Sequence, residues 1–221
     1  MYTISFFSQK SKVEIDTFDN IVYNRKTFIH REGAIVIRII QNRRALHRIP
    51  ELDRDLQETA AYLRAELEGL GCTLFSPMEG SVCAFFDFGA ESAIAFRADM
   101  DALPIEEKSG AEYTSRHPGR MHACGHDGHM AILLELARRL SKRKRFHHNI
   151  LLVFQPAEEA SGGAKEICDS GIFTKYNAEV IFGLHLWPGL EKGKIFSRPG
   201  EMMSRSAELD VDIFGRSAHI G

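Results

Sequence analysis

Apolar residues fall at helical spacing twice in the first third of the chain. Ile35, Ile37, Ile39, Ile40 and Leu46 alternate with Arg and Gln until Pro50 interrupts the pattern. From about Asp53, Leu56, Ala60, Leu63, Leu67 and Leu70 recur at three- and four-residue steps, with Gly71 as a stop signal. Three strand-like runs follow: Thr73 to Phe75, Val82 to Phe88 and Ala93 to Arg97. Gly89-Ala90-Glu91 between the last two suits a hairpin or a short loop. Another helix is expected from about Gly128 through Ile132, Leu133, Leu136 and Leu140, with Asp127 placed to cap it.

The unbroken run Ile150-Leu151-Leu152-Val153-Phe154 reads as a strand buried on both faces. Gly162-Gly163 open a short helix, and Val180 to Leu186 is a further buried strand that carries His185. Strands alternating with helices predict an α/β sandwich around a mostly parallel sheet. Ala207 to Phe214 differs in kind. Leu209, Val211 and Ile213 alternate with Glu208, Asp210 and Asp212, the pattern of a half-exposed strand, so a new domain is expected from about Glu201. Residues 1 to 33 mix Phe6, Phe7, Phe18 and Phe28 with charges and show no period, so they stay unassigned.

Composition narrows the function classes. With 221 residues, 44% hydrophobic and 26% charged, the chain is an ordinary globular protein of one large domain or slightly more. A net charge of -2 gives no electrostatic reason to expect nucleic acid or a membrane surface as partner. The basic run Lys142-Arg143-Lys144-Arg145 reads as a solvated helix end that complements the helix dipole. No apolar run approaches the ~20 residues of a membrane span, and Met1 to Lys12 lacks the pattern of a signal peptide. Cys72, Cys83, Cys124 and Cys168 are too few and too scattered for a disulfide framework, which fits a reducing, cytoplasmic location.

Chemistry concentrates in four places near predicted strand ends, where open α/β sheets hold ligands. Met121 to His129 packs three histidines, Cys124 and Asp127 into nine residues. Cys124 and His126 are two apart and point to one side on an extended backbone, and a thiolate with an imidazole suits zinc or a similar metal. A polar loop around a buried thiol is the plainer alternative. Asp99 and Asp101 can bind metal, orient a ligating histidine, or simply cap a loop beside Arg97. Glu158 and Glu159 crowd negative charge that a cation would offset, one binding metal while the other moves protons, or they are two surface glutamates. His185, in an otherwise apolar run, is either a ligand or a satisfied core group. No G-x-S-x-G elbow, P-loop or G-x-G-x-x-G occurs.

These motifs together resemble one family. Arg44-Ala45-Leu46-His47 with Pro50-Glu51-Leu52, Phe96 to Pro104, Met121 to His129, Phe154 to Glu159, Gly183 to Pro188 and Gly215 to His219 occur in its order. The chain is similar to the amidohydrolase branch of the aminoacylase and glutamate-carboxypeptidase metallopeptidases. That branch includes hippurate hydrolases, N-acetyl-diaminopimelate deacetylases and auxin-conjugate hydrolases. The resemblance implies a three-layer α/β/α catalytic domain over residues 34–200 and the start of an α+β lid and dimerisation domain over 201–221.

It also implies two divalent metal ions (Zn, Mn, Co or Ni) held by Cys124, His126, Glu159 and His185. Glu158 would be the general base, Asp101 an aspartate behind the ligands, and His219 a lid histidine that steadies the substrate carbonyl. Asp99 stands where sister branches have a histidine ligand. The implied reaction is hydrolysis of an N-acyl-L-amino acid to a carboxylate and an amino acid by a metal-activated water. Intact members are expected to be homodimers or homotetramers. Two features depart from the pattern. Residues 1–33 match nothing in the family. The sequence also stops at Gly221, short of the rest of the lid and of a return segment that carries one more histidine ligand. An inactive fragment that binds metal weakly or not at all is therefore the alternative expectation.

Overall fold

The computed structural model describes residues 2–7, 25–160, 162–191, 194–197, 211–212, 214–216 and 219, with side chains from residue 35 onward. Strand β1 (Tyr2–Phe7) precedes helix α1 (Arg25–His47) and helix α2 (Gln57–Leu67). Strands β2 (Thr73–Phe75), β3 (Val82–Phe86) and β4 (Ala93–Asp99) lead to helix α3 (His126–Leu140). Strand β5 (Asn149–Gln155), helices α4 (Gly163–Asp169) and α5 (Ile172–Lys175), and strands β6 (Ala178–Leu186) and β7 (Ile195–Phe196) complete the order. The seven strands form one sheet, β2-β3-β5-β4-β6-β1-β7.

β5 anchors the sheet. Every one of its residues is buried, as its unbroken apolar run requires. Alternate side chains leave opposite faces. Ile150, Leu152 and Phe154 pack with Leu46, Leu63, Leu67, Leu133 and Leu134 of α1, α2 and α3. Leu151 and Val153 pack with Ile167 of α4 and Ile172 of α5 on the other face. The sheet thus separates two helical layers, the expected α/β/α sandwich. α1 turns Leu46 inward and lies along α3, where Arg38 donates to both carboxylate oxygens of Glu135 at 3.1 and 3.0 Å. The α2 start falls at Gln57 rather than Asp53, because the Glu51 carboxylate accepts the Glu58 and Thr59 N–H groups at 3.1 and 2.8 Å. A negative charge on otherwise unpaired amides stabilises a helix start.

Several expectations are corrected. The sheet is mixed, not mostly parallel: β4 runs parallel to β5 and β6, whereas β2–β3, β3–β5 and β1–β6 are antiparallel. β3 and β4 do not form a hairpin, because β5 lies between them. The link 87–92 crosses the start of β5, where Asn149 accepts the Phe88 and Ala90 N–H groups at 2.8 and 3.2 Å and donates to the Ala90 carbonyl at 2.8 Å. β6 is half-buried rather than buried. α1 starts well before Ile35, and β1 pairs with β6. The expected strand at 207–214 and the domain start near Glu201 lie largely outside the described residues. Val211, Asp212 and Phe214 are exposed.

Candidate metal centre

Because β4, β5 and β6 are parallel, their carboxyl ends share one edge of the sheet. Asp99 ends β4, Glu158 and Glu159 follow β5, and His185 sits at the end of β6. The segment before α3 is pinned to the same edge by paired backbone bonds between Leu103 and Met121, 3.0 Å each way. Cys124 and His126 converge through a turn and not through an extended backbone. Gly125 takes a left-handed conformation (φ 86°), and His126 is already the first residue of α3. Asp127 therefore sits inside the first turn rather than at the cap. Its carboxylate accepts the Gly128 N–H at 2.8 Å and meets His47 Nδ1 at 2.7 Å.

The geometry around His126 decides what the site can hold. Nδ1–H donates to the Asp101 carbonyl at 2.7 Å, which leaves Nε2 to face the neighbouring groups. That nitrogen faces Glu159 Oε1 at 3.6 Å, Asp99 Oδ2 at 3.6 Å and Glu158 Oε2 at 3.8 Å. Cys124, His126 and Glu159 each offer one ligand atom, all within 4.8 Å of one another. Carboxylates gathered in this way need positive charge among them, which a protonated His126 or a bound cation supplies. Their acid–base behaviour follows. Burial lowers the His126 pKa, but Asp101, Asp99 and Glu158 outweigh it and raise it to about 9. Burial and the neighbouring Glu159 push the Cys124 thiol up to about 12. Burial, then the Asp99 charge, raises Glu158 above the usual carboxylate range. A mixed thiolate, imidazole and carboxylate set suits zinc and its neighbours in the first transition row.

Asp101 lies behind this set. It is buried, its Oδ2 accepts the Glu159 N–H at 2.9 Å, and its main-chain carbonyl fixes the His126 ring. Ala157 holds a positive φ of 54°, unusual for a residue with a side chain, and this bend turns Glu158 and Glu159 back over the strand end. His185 stands at the rim. Its Nδ1 donates to the Leu186 carbonyl at 2.8 Å, leaving Nε2 as the acceptor, and its ring centroid is 6.4 Å from that of His126. It lies outside the tight three-residue grouping. His219 is exposed and belongs to neither ligand grouping found among the described residues.

A second grouping, Asp99, His126 and His129, is fully buried. Here the polar atoms already satisfy one another. His129 Nδ1 is 2.6 Å from Asp99 Oδ1, its Nε2 accepts the Leu186 N–H at 2.9 Å, and Arg97 Nη1 donates to Asp99 Oδ2 at 2.8 Å. Burial alone would raise the Asp99 pKa, but Arg97 and the two histidines hold it well below the ordinary carboxylate range. Sequence reasoning counted His129 among the clustered histidines without giving it a role. Its importance depends on Leu186, a contact that local spacing does not show. His122, third in the cluster, is buried with both ring nitrogens unpartnered among the described residues, and burial lowers its pKa to about 4.

Residues 95–220 match the Peptidase family M20/M25/M40. The chain belongs to that family. It is 39% identical over 182 residues to an uncharacterized hydrolase of Staphylococcus epidermidis, a match spanning 81% of this chain and 48% of that protein. The fold is similar to the YXEP protein of Bacillus subtilis, described as a dinuclear metal binding peptidase from the M20 family. That match has a TM-score of 0.62 and 34% identity, covering 66% of this chain and 42% of the other. It is similar also to a putative aminohydrolase from methicillin-resistant Staphylococcus aureus, with TM-score 0.64, 34% identity, and 70% and 42% coverage. The chain thus spans about half the length of the curated relatives it matches.

Proposed function

We propose that this M20 chain carries the metal-binding part of a hydrolase that cleaves the amide bond of N-acyl-L-amino acids. The observation that supports it most is the placement of His126 Nε2, turned by the bond at Nδ1 toward three carboxylates 3.6–3.8 Å away beside Cys124. In this reading residues 34–200 are the catalytic domain and 201–221 begin a lid and dimerisation domain. Cys124, His126, Glu159 and His185 hold two divalent ions, with zinc, manganese, cobalt and nickel all compatible with the donor set. When bound, such ions supply an acidified water and a Lewis-acid pull on the substrate carbonyl.

The remaining steps belong to side chains of this chain. Glu158, with its raised pKa and a half-exposed position beside the donors, accepts a proton from water and delivers it to the departing amine. Asp101 keeps Glu159 and His126 in place through the Glu159 N–H and the His126 ring. His219 approaches the carbonyl oxygen from the lid. The free thiols suit a reducing, cytoplasmic setting, and the partner is a small N-acyl amino acid rather than nucleic acid or membrane. Among the described residues, no helix is long and apolar enough to cross a membrane. The intact enzyme would be a homodimer or homotetramer.

One experiment tests this reading. The purified chain is assayed on N-acetyl- and N-benzoyl-amino acids with added zinc, manganese, cobalt or nickel, alongside metal analysis. Turnover abolished by Glu158→Gln supports the hydrolase. Bound metal without turnover supports the ligand set and counts against the hydrolase. A chain that takes up no metal overturns the ligand set.

A further inference from the structure

We propose that His129 is a positioning residue that sets the place of His185 through the backbone of β6, an inference that rests on reading His185 as a metal ligand. Pairing between β4 and β6 ends at Arg97 and Gly183. Leu184, His185 and Leu186 extend past that ladder, and β1 pairs with them only along the opposite edge of the strand.

On the β4 side, what holds them is α3. The Leu186 N–H donates to His129 Nε2 at 2.9 Å, and a backbone amide can only donate. His129 therefore carries its proton on Nδ1 and gives it to Asp99 Oδ1 at 2.6 Å. Arg97 fixes Asp99 in turn through a 2.8 Å bond and reaches Gln155 Oε1 at 2.8 Å. One buried ring thus ties the ends of β4, β5 and β6 to α3. The Leu186 side chain seats against the same helix. A Cβ at Gly128 would lie 2.6 Å from Leu186 Cδ1, so the glycine there leaves the seat open.

The test uses the whole chain and zinc alone, with affinity measured by competition against a chelator. Asn places an amide near the His Nδ1 position, so His129→Asn keeps a donor for Asp99 and loses the acceptor for Leu186. Gln reaches the Nε2 position, so His129→Gln keeps that acceptor. The expected result is zinc binding weakened about 10–100-fold in His129→Asn, the usual cost of losing a group that orients a ligand, and within about threefold of the unmodified chain in His129→Gln. Unchanged affinity in His129→Asn, or equal losses in both variants, would overturn the positioning role. His185→Ala is the control. If it binds zinc as tightly as the unmodified chain, the ligand reading itself fails. Nitrogen chemical shifts of His129 in the unmodified chain give a check that needs no variant: the Nδ1–H tautomer is expected, and the Nε2–H tautomer would overturn the proposal.

Discussion

At the scale of single residues, the proposed site separates holding metal from moving protons. Glu159 is bound at its amide by Asp101 and lies near Cys124 and His126, whereas the adjacent Glu158 is more exposed and has a raised pKa. Glu158→Gln removes the proposed proton carrier and keeps size and hydrogen-bonding capacity. The expected outcome is normal metal content with turnover reduced by at least about 10²–10⁴-fold, the usual contribution of a positioned acid–base group. Elemental analysis beside the hydrolysis assay checks it. Cys124→Ala is expected to do the reverse and lower metal content. With cobalt as the probe, the thiolate-to-cobalt charge-transfer band should disappear in that variant, and a band that persists would remove Cys124 from the ligand set.

At the scale of elements, two junctions position these residues. Glu158 and Glu159 leave β5 through a bend that has no room for a larger residue at Gly163, where a Cβ would run into the Pro156 carbonyl oxygen. Backbone cannot yield as a side chain can. Gly163→Ala is therefore expected to cost about 1–3 kcal/mol, the range for overpacking, and to weaken zinc binding as the bend shifts. Urea denaturation and zinc titration of the variant read both effects. The second junction ties α1 to α3: His47 bridges Asp127 at 2.7 Å and Glu107 at 3.2 Å. The Asp127 hydrogen bond, opposed by burial, raises the His47 pKa above 6.5. The stability it gives is thus fully present below pH 6.5 and is lost as pH rises through the raised folded value. Stability measured by urea across that window should fall, and His47→Gln should flatten the fall. Sequence reading reached part of this order. The apolar run 150–154 revealed β5 because burial on both faces leaves a local pattern. Of the two alternatives for Gly89-Ala90-Glu91 the short loop is found and the hairpin is not, because the strand between β3 and β4 follows only after α3, and no local pattern encodes that. Cys124 and His126 were legible as near neighbours. His129 was not, since its partners Asp99 and Leu186 are distant in the chain.

At the scale of the whole molecule, the proposed donors come from four separate places: the loop before α3, the first turn of α3, the bend after β5 and the end of β6. An unfolded chain does not hold these groups together, so ion binding favours the folded state and its free energy adds to stability. With free zinc at about 100 times its dissociation constant, the gain should be about 2.7 kcal/mol. For a chain of this size each kcal/mol moves the melting temperature by about 2–4 °C, so zinc should raise it by about 5–11 °C. The four donors should share that gain unequally. His126 and Glu159 are held by Asp101, and Cys124 lies within the same tight grouping, so Cys124→Ala, His126→Ala or Glu159→Ala should remove most of the zinc-dependent shift. His185 stands at the rim with its ring 6.4 Å from His126, so His185→Ala should remove less. Thermal melts with and without zinc, run on the unmodified chain and the four variants, check this order. A melting temperature that does not move with zinc would mean that the carboxylates, the thiol and His126 settle their charges without an ion, and the metal centre would have to be abandoned.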